Sequence, residues 1–232
     1  MAQDEEIPIV LLHGWGGSFQ QTWHKPGIDA LLEDMGRSVL GIDLLGHGLA
    51  EKPHSPESYA DLAQWLLGAI PEKYPVVDIA GFSLGALTVL DALTLEPNRF
   101  RKVLFAGIGN GVFETYTSDR NRRIVDALEG RGSTDDTFSQ MFVQYAHQPG
   151  NDPVALTAIM KRPATRSISS TELSHLPHEV QVVIGDQDFA GPSDKLASAF
   201  PHGALTVLKN TDHFATTESF AFIDCLLSFF ES

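Results

Sequence analysis

A serine hydroxyl, an imidazole and a carboxylate on separate loops can together cleave an acyl bond, and this chain of 232 residues carries such a set. The serine is Ser83, in Gly81-Phe82-Ser83-Leu84-Gly85. Small residues on both sides of a central Ser permit a sharp strand-to-helix turn, because bulk there clashes with neighbouring backbone. Such a turn holds Oγ clear of the sheet edge, with the free N–H groups and positive potential of a helix start behind it. The plainer reading is a Ser that caps an ordinary helix. A bare hydroxyl is a weak nucleophile and needs a base. His213, in Asn210-Thr211-Asp212-His213-Phe214, stands late in the chain between a strand and the last helix. The base needs an orienting acid, and Gly185-Asp186-Gln187-Asp188 offers two. Asp188 lies further into its loop, where a side chain can turn back toward the imidazole, whereas Asp186 can close the turn itself. Two backbone N–H groups must hold the developing oxyanion. Leu84, next after the nucleophile, provides one, and Trp15, in His13-Gly14-Trp15-Gly16-Gly17, provides the other. Glycines in that loop let the main chain approach a substrate closely. No Gly-Lys-Ser/Thr follows, so it is not a phosphate loop. The chemistry expected is attack on an ester or thioester of a small to medium acyl group, with neither metal nor organic cofactor.

The elements that must position these residues alternate. Apolar runs at 7–12, 38–42, 76–80, 102–106, 180–184 and 204–208 read as buried parallel strands. Helical patterns fall at 29–35, 59–70 and 84–95, and the last helix presents Phe222, Ile223, Leu226, Leu227 and Phe230 in one stripe. This order predicts an α/β fold, a predominantly parallel sheet with helices on both faces and right-handed crossovers. Ser83, Asp188 and His213 each follow a strand and so belong at one sheet edge. The beat breaks over 111–175, where short helices at 120–128, 137–147 and 153–161 predict a helical cap inserted into a core of 1–110 and 176–232. Phe138, Met141, Phe142, Tyr145 and Met160 are cap residues at roughly helical spacing, expected mostly to pack the cap onto the body; the first four are the candidates to line an acyl pocket.

Composition narrows the function classes. Hydrophobic residues at 43% and charged residues at 20% exclude wholesale disorder. Thirty acidic against sixteen basic residues give a formal charge of −14, which repels phosphate backbones, so no nucleic-acid partner is expected. The single cysteine, Cys225, excludes an internal disulfide, favours a reducing compartment and reads as a buried, inert thiol. The start Met1-Ala2-Gln3-Asp4-Glu5-Glu6 lacks the basic, apolar plan of a signal peptide, and no run of about 18 apolar residues exists. A cytoplasmic protein without membrane contact is the expectation; oligomeric state is not legible. His13 and His47 are expected to brace loops, and His175 and His178 lack the partners of a zinc site. Residues 116–166 hold seven of the sixteen basic residues against six acidic ones. A patch of Arg120, Arg122, Arg123, Lys161, Arg162 and Arg166 could admit an anionic acyl group; scattered surface charge is the plainer account.

Taken in order, His13-Gly14-Trp15-Gly16, Asp43-Leu44-Leu45-Gly46-His47-Gly48, the Gly81 to Gly85 motif, Gly185-x-x-Asp188 and Asp212-His213-Phe214 resemble the α/β-hydrolase fold family across nearly the whole chain. The resemblance implies a Ser–Asp–His hydrolase with Asp188 as the acid and a cap after the fourth strand. It also implies two rivals: a cofactor-free lyase using the same triad for proton transfer, and a receptor-like binder with little turnover. Epoxide hydrolases and haloalkane dehalogenases of the family place Asp where Ser83 stands. Two features depart from the family pattern. The family's usual N-terminal antiparallel hairpin is not expected in the residues before the first strand, and Ala86 stands where many relatives have a second Gly.

Overall fold

The computed structural model describes residues 7–114, 119–163 and 167–231. Six strands form one all-parallel sheet: β1 Ile9–Leu12, β2 Val39–Ile42, β3 Val77–Phe82, β4 Phe100–Ala106, β5 Glu179–Gly185 and β6 His202–Leu208, in the order β2-β1-β3-β4-β5-β6. The register runs unbroken from Ile9↔Val39 at one side to Gly185↔Leu208 at the other, apart from one irregularity between Val77 and Ile79. No antiparallel strand occurs among the described residues. The acidic start, Met1 to Glu6, lies outside them.

Strand alternation distributes the core to both faces. Ile9 and Leu11 pack with Ile28 and Leu32 of α1 (Ile28–Asp34) and with Phe222, Leu226 and Phe230 of α9 (Phe220–Glu231). Val10 and Leu12 turn the other way, toward Leu66 of α2 (Leu62–Ala69), Val89 and Leu90 of α3 (Leu84–Leu95) and Leu196 of α8 (Asp194–Ala199). Period-two side chains that are apolar in both phases need cover on both sides, which is why helices flank this sheet. One expected helix is shorter than its pattern. Over 59–70, Tyr59 closes a tight turn begun at Pro56, and α2 starts only at Leu62. Asp61 sets that start, because its carboxylate accepts from the Gln64 N–H at 2.9 Å.

The connection from β4 to β5 contains α4 (Asp119–Leu128), α5 (Thr137–Ala146), α6 (Pro153–Met160) and α7 (Ser170–Leu173). Asp136 and Asp152 cap α5 and α6 with their carboxylates. Ala146, Leu156 and Ile159 are fully buried and share one apolar cluster with Leu12, Leu44 and Tyr59. The described part of the connection therefore adds to the core of the body. No described helix is long and apolar enough to cross a membrane.

Candidate active site

Strand β3 runs to Phe82, two residues past its apolar run, and Ser83 turns the chain directly into α3. Ser83 sits at φ +52, a conformation that L residues rarely adopt and that costs about 1–3 kcal/mol unless the surroundings enforce it. The flanking glycines follow from close approach. A Cβ on Gly81 would lie 2.7 Å from the Ala86 Cα, and one on Gly85 would lie 2.4 Å from the His13 carbonyl oxygen. Ser83 holds the N-cap position of α3 but makes no side-chain cap bond. Its Oγ lies 2.9 Å from His213 Nε2 instead.

His213 Nδ1 is 2.9 Å from both carboxylate oxygens of Asp188. The Asp188 side chain is fully buried, and its Oδ1 also accepts from the Ala190 N–H at 2.8 Å. A carboxylate so held fixes the proton on Nδ1 and leaves Nε2 as the acceptor facing the hydroxyl. Asp186, the other carboxylate of that loop, is exposed and accepts from the Thr211 N–H at 3.3 Å, so it braces the two loops against each other. Gly107, at φ +67 just after β4, makes room for the imidazole; a Cβ there would meet the His213 Cε1 at 3.1 Å.

The loop from His13 to Gly17 leaves β1 beside this turn. A Cβ on Gly14 would lie 3.1 Å from the Ser83 Cβ. His13, fully buried, donates from Nδ1 to the Gly14 carbonyl (2.8 Å) and accepts at Nε2 from the Leu44 N–H (3.0 Å), which defines a neutral tautomer. Burial lowers the His13 pKa, and burial together with His13 itself lowers that of His47, 5.0 Å away. Both histidines brace loops. The Gly14 carbonyl also accepts from the Gly17 N–H at 3.1 Å. C=O and N–H of a trans peptide point opposite ways, so fixing that carbonyl aims the Trp15 N–H away from His13. Among the described residues, neither the Trp15 nor the Leu84 backbone N–H has an acceptor.

Aromatic rings enclose the imidazole. Phe189 is 4.3 Å from the His213 ring, Phe82 5.0 Å and Phe214 5.6 Å. Phe142 contacts Trp15 at 5.3 Å and Phe138 at 5.3 Å, and Tyr145 lies 5.7 Å from Phe214. Three of the four cap residues singled out from spacing thus reach the site. Met141 does not: the buried face of α5 is centred on Ser139, Phe142 and Ala146, which leaves Met141 42% exposed. Phe189 and Phe214 escaped the sequence reading, although each directly follows a polar site residue, Asp188 or His213, and that adjacency was the available signal.

The basic patch largely dissolves. Arg122 pairs with Asp119, Arg123 with Asp136 and Lys161 with Glu129, and Arg162 donates to the Ile159 carbonyl. Arg120 lies over the Phe138 and Phe189 rings and donates to the Phe189 carbonyl, and Arg166 lies outside the described residues. Cys225 is half-buried with its thiol pKa raised by burial. No group of three His, Cys, Asp or Glu suited to a metal occurs among the described residues.

Among solved structures, the chain is similar to 2-hydroxy-6-oxo-6-phenylhexa-2,4-dienoate hydrolase from Rhodococcus sp. strain RHA1, at 23% identity and TM-score 0.67 over 99% of this chain and 92% of that one. It is similar to a marine microorganism esterase at 20% identity and TM-score 0.67, over 97% and 95% of the two chains. A serine hydrolase from Cycloclasticus zankles, a bacterium that degrades polyaromatic hydrocarbons, matches at 20% identity and TM-score 0.65, over 98% and 91%. No curated protein matches the sequence. At these identities the neighbours establish the fold alone. The model of the alpha/beta hydrolase family matches residues 9–223, nearly the whole chain, and the chain belongs to that family.

Proposed function

We propose that this protein is a serine hydrolase that cleaves carboxylic esters or thioesters of small to medium acyl groups through an acyl-enzyme on Ser83. The observation that carries the reading is the linear relay from the Ser83 hydroxyl through His213 to buried Asp188, with 2.9 Å at each contact. Ser83 Oγ attacks the acyl carbonyl carbon while His213 Nε2 takes its proton. Asp188 holds the imidazole and stabilises its charged form. The carbonyl oxygen gains negative charge beside the Trp15 and Leu84 N–H groups, where each donor is worth about 3 kcal/mol in the transition state. The tetrahedral intermediate expels the alcohol or thiol, which receives the proton from His213. Water then attacks the acyl-enzyme, His213 takes its proton, and the acid departs with Ser83 restored. Phe138, Phe142, Tyr145, Phe189 and Phe214 offer apolar surface for the acyl group.

The test is labelling by a fluorophosphonate probe together with turnover of a panel of nitrophenyl esters and acyl thioesters. Wild-type protein should label at Ser83 and turn over many times, and Ser83→Ala should lose the label and all but a residual rate, a fall of at least about 10⁴-fold. Wild-type rates in Ser83→Ala would end the assignment. Labelling without turnover of any ester or thioester in the panel would overturn the hydrolase reading in favour of a receptor-like binder or the lyase alternative.

A further inference from the structure

We infer that Asn151, which lies 68 positions beyond Ser83 in the α5–α6 turn, is a positioning residue for the oxyanion donor of Trp15. The inference rests on the acyl-transfer reading given above. The Asn151 side-chain amide donates to the Gly16 carbonyl at 2.8 Å and to the Tyr145 carbonyl at 3.0 Å. Both partners are acceptors, so the side-chain NH₂ must face them, and both of its hydrogens are used. One hydrogen ties the end of α5; the other holds the Gly16–Gly17 peptide, one residue beyond Trp15. A second bond acts on the neighbouring residue: the Trp15 indole N–H donates to the Leu156 carbonyl of α6 at 3.0 Å. Contact is close as well: Gly16 is at φ +72, and a Cβ there would lie 2.5 Å from the Tyr145 ring.

A loop with three glycines in five residues has many conformations open to it. From the body, His13 and the Gly17 N–H hold the Gly14 carbonyl. From the other side, Asn151 and Leu156 hold Gly16 and Trp15. The Trp15 N–H lies between these two anchors: the first sets the side to which it points, and the second keeps the glycine-rich chain beyond it from swinging that peptide out of place. A capping role confined to α5 would need only the Tyr145 bond.

Asn151→Asp tests this, because the carboxylate keeps the shape while replacing two donors by acceptors aimed at carbonyl oxygens. The expected result is a loss in kcat on nitrophenyl esters of about 10- to 100-fold, below the 10²–10³ for deleting a donor outright, with KM within about threefold. Affinity for a boronic acid that forms a tetrahedral Ser83 adduct should fall in parallel with kcat. The pH profile should keep its shape, since His213 and Asp188 are untouched. Asn151→Gln, which keeps the NH₂, should recover part of the loss, and Asn151→Ala serves if the Asp variant does not fold. Hydrogen exchange at residues 14–17 should quicken in the Asp or Ala variant. Unchanged exchange there, or a kcat loss without the parallel loss of boronic-acid affinity, would overturn the inference. A wild-type protein that neither labels nor turns over defeats the acyl-transfer reading instead, and the exchange measurement still decides whether Asn151 anchors the loop.

Discussion

Two carboxylates are buried at opposite ends of the same sheet, and they do different work. Asp78, fully buried near the start of β3, accepts from Arg37 Nη2 at 2.6 Å, from Arg101 Nε at 2.8 Å and from the Lys102 backbone N–H at 3.1 Å. Its hydrogen bond raises the Arg101 pKa further above the ordinary guanidinium value. Asp188, just past the end of β5, has one ionisable partner, His213, whose far nitrogen faces a hydroxyl. Guanidinium partners stay charged at every working pH, so the Asp78 cluster is a fixed clamp between β2, β3, β4 and, through Arg37 Nη1 and the Phe230 carbonyl, α9. An imidazole partner can lose and regain a proton, so the Asp188 pair can move one. Burial makes a carboxylate depend on its partner: permanent cations suit Asp78 to holding the fold, and an imidazole that faces a hydroxyl suits Asp188 to the reaction proposed above.

Paired substitutions test this contrast most sharply. Asp188→Asn should lower kcat by about 10⁴-fold, because the amide no longer selects the productive tautomer, while the melting temperature shifts little. Asp78→Asn should do the converse. It leaves two guanidinium groups without their counter-charge and should cost about 3–5 kcal/mol of stability by chemical denaturation, with kcat of the folded fraction unchanged. A large kcat loss in Asp78→Asn, or a large stability loss in Asp188→Asn, would erase the distinction.

Glycine substitutions probe the same polarity at smaller scale. Gly85→Ala pushes a methyl group to 2.4 Å from the His13 oxygen and 2.5 Å from the Leu12 oxygen, both backbone atoms that cannot step aside cheaply. The cost should be about 1–3 kcal/mol, with a fall in kcat if the strain reaches the His13–Gly17 loop proposed to hold the oxyanion. Gly68, inside α2, has nothing within 4 Å of its Cβ position, and Gly68→Ala should stabilise by up to about 1 kcal/mol at unchanged kcat. Equal effects at both positions in a denaturant titration would show that crowding beside the elbow is relieved in solution.

The smallest effect is in pH. His13 and His47 have pKa values lowered by burial from the ordinary 6.5, so the folded state binds their protons less readily than the unfolded chain. Their contribution to stability is complete above pH 6.5 and is lost as pH falls below it toward the folded values. Melting temperature should therefore be level from pH 8 to 6.5 and decline toward pH 5, and His47→Asn should flatten the decline. Parallel curves for the variant and the wild type would place the acid sensitivity elsewhere. The Arg–Asp78 clamp cannot produce such a decline in this range, because its cations do not titrate there.

How much of this was legible in the chain depends on how local the signal is. Strand periodicity and the Gly-x-Ser-x-Gly turn are written within a few residues, and the predominantly parallel sheet follows from apolar runs alternating with helices. Boundaries were less legible: the pattern over 59–70 gives no sign that Asp61 stops one turn and starts the helix, because a cap acts through a side-chain orientation. The same holds for Met141, whose spacing in α5 resembles that of Phe142 but whose azimuth only packing reveals.

The sequence by itself determined which chemical groups are available and in what order they arrive at the sheet edge, since residue type and strand succession are one-dimensional facts. Tertiary structure alone decided the choice of Asp188 over Asp186 beside His213, the pairing of Lys161 with Glu129 across 32 positions, and the hold of Asn151 on Gly16 across 135 positions. Those outcomes depend on distances of about 3 Å between groups far apart along the chain, and only the packing of the whole core sets such distances.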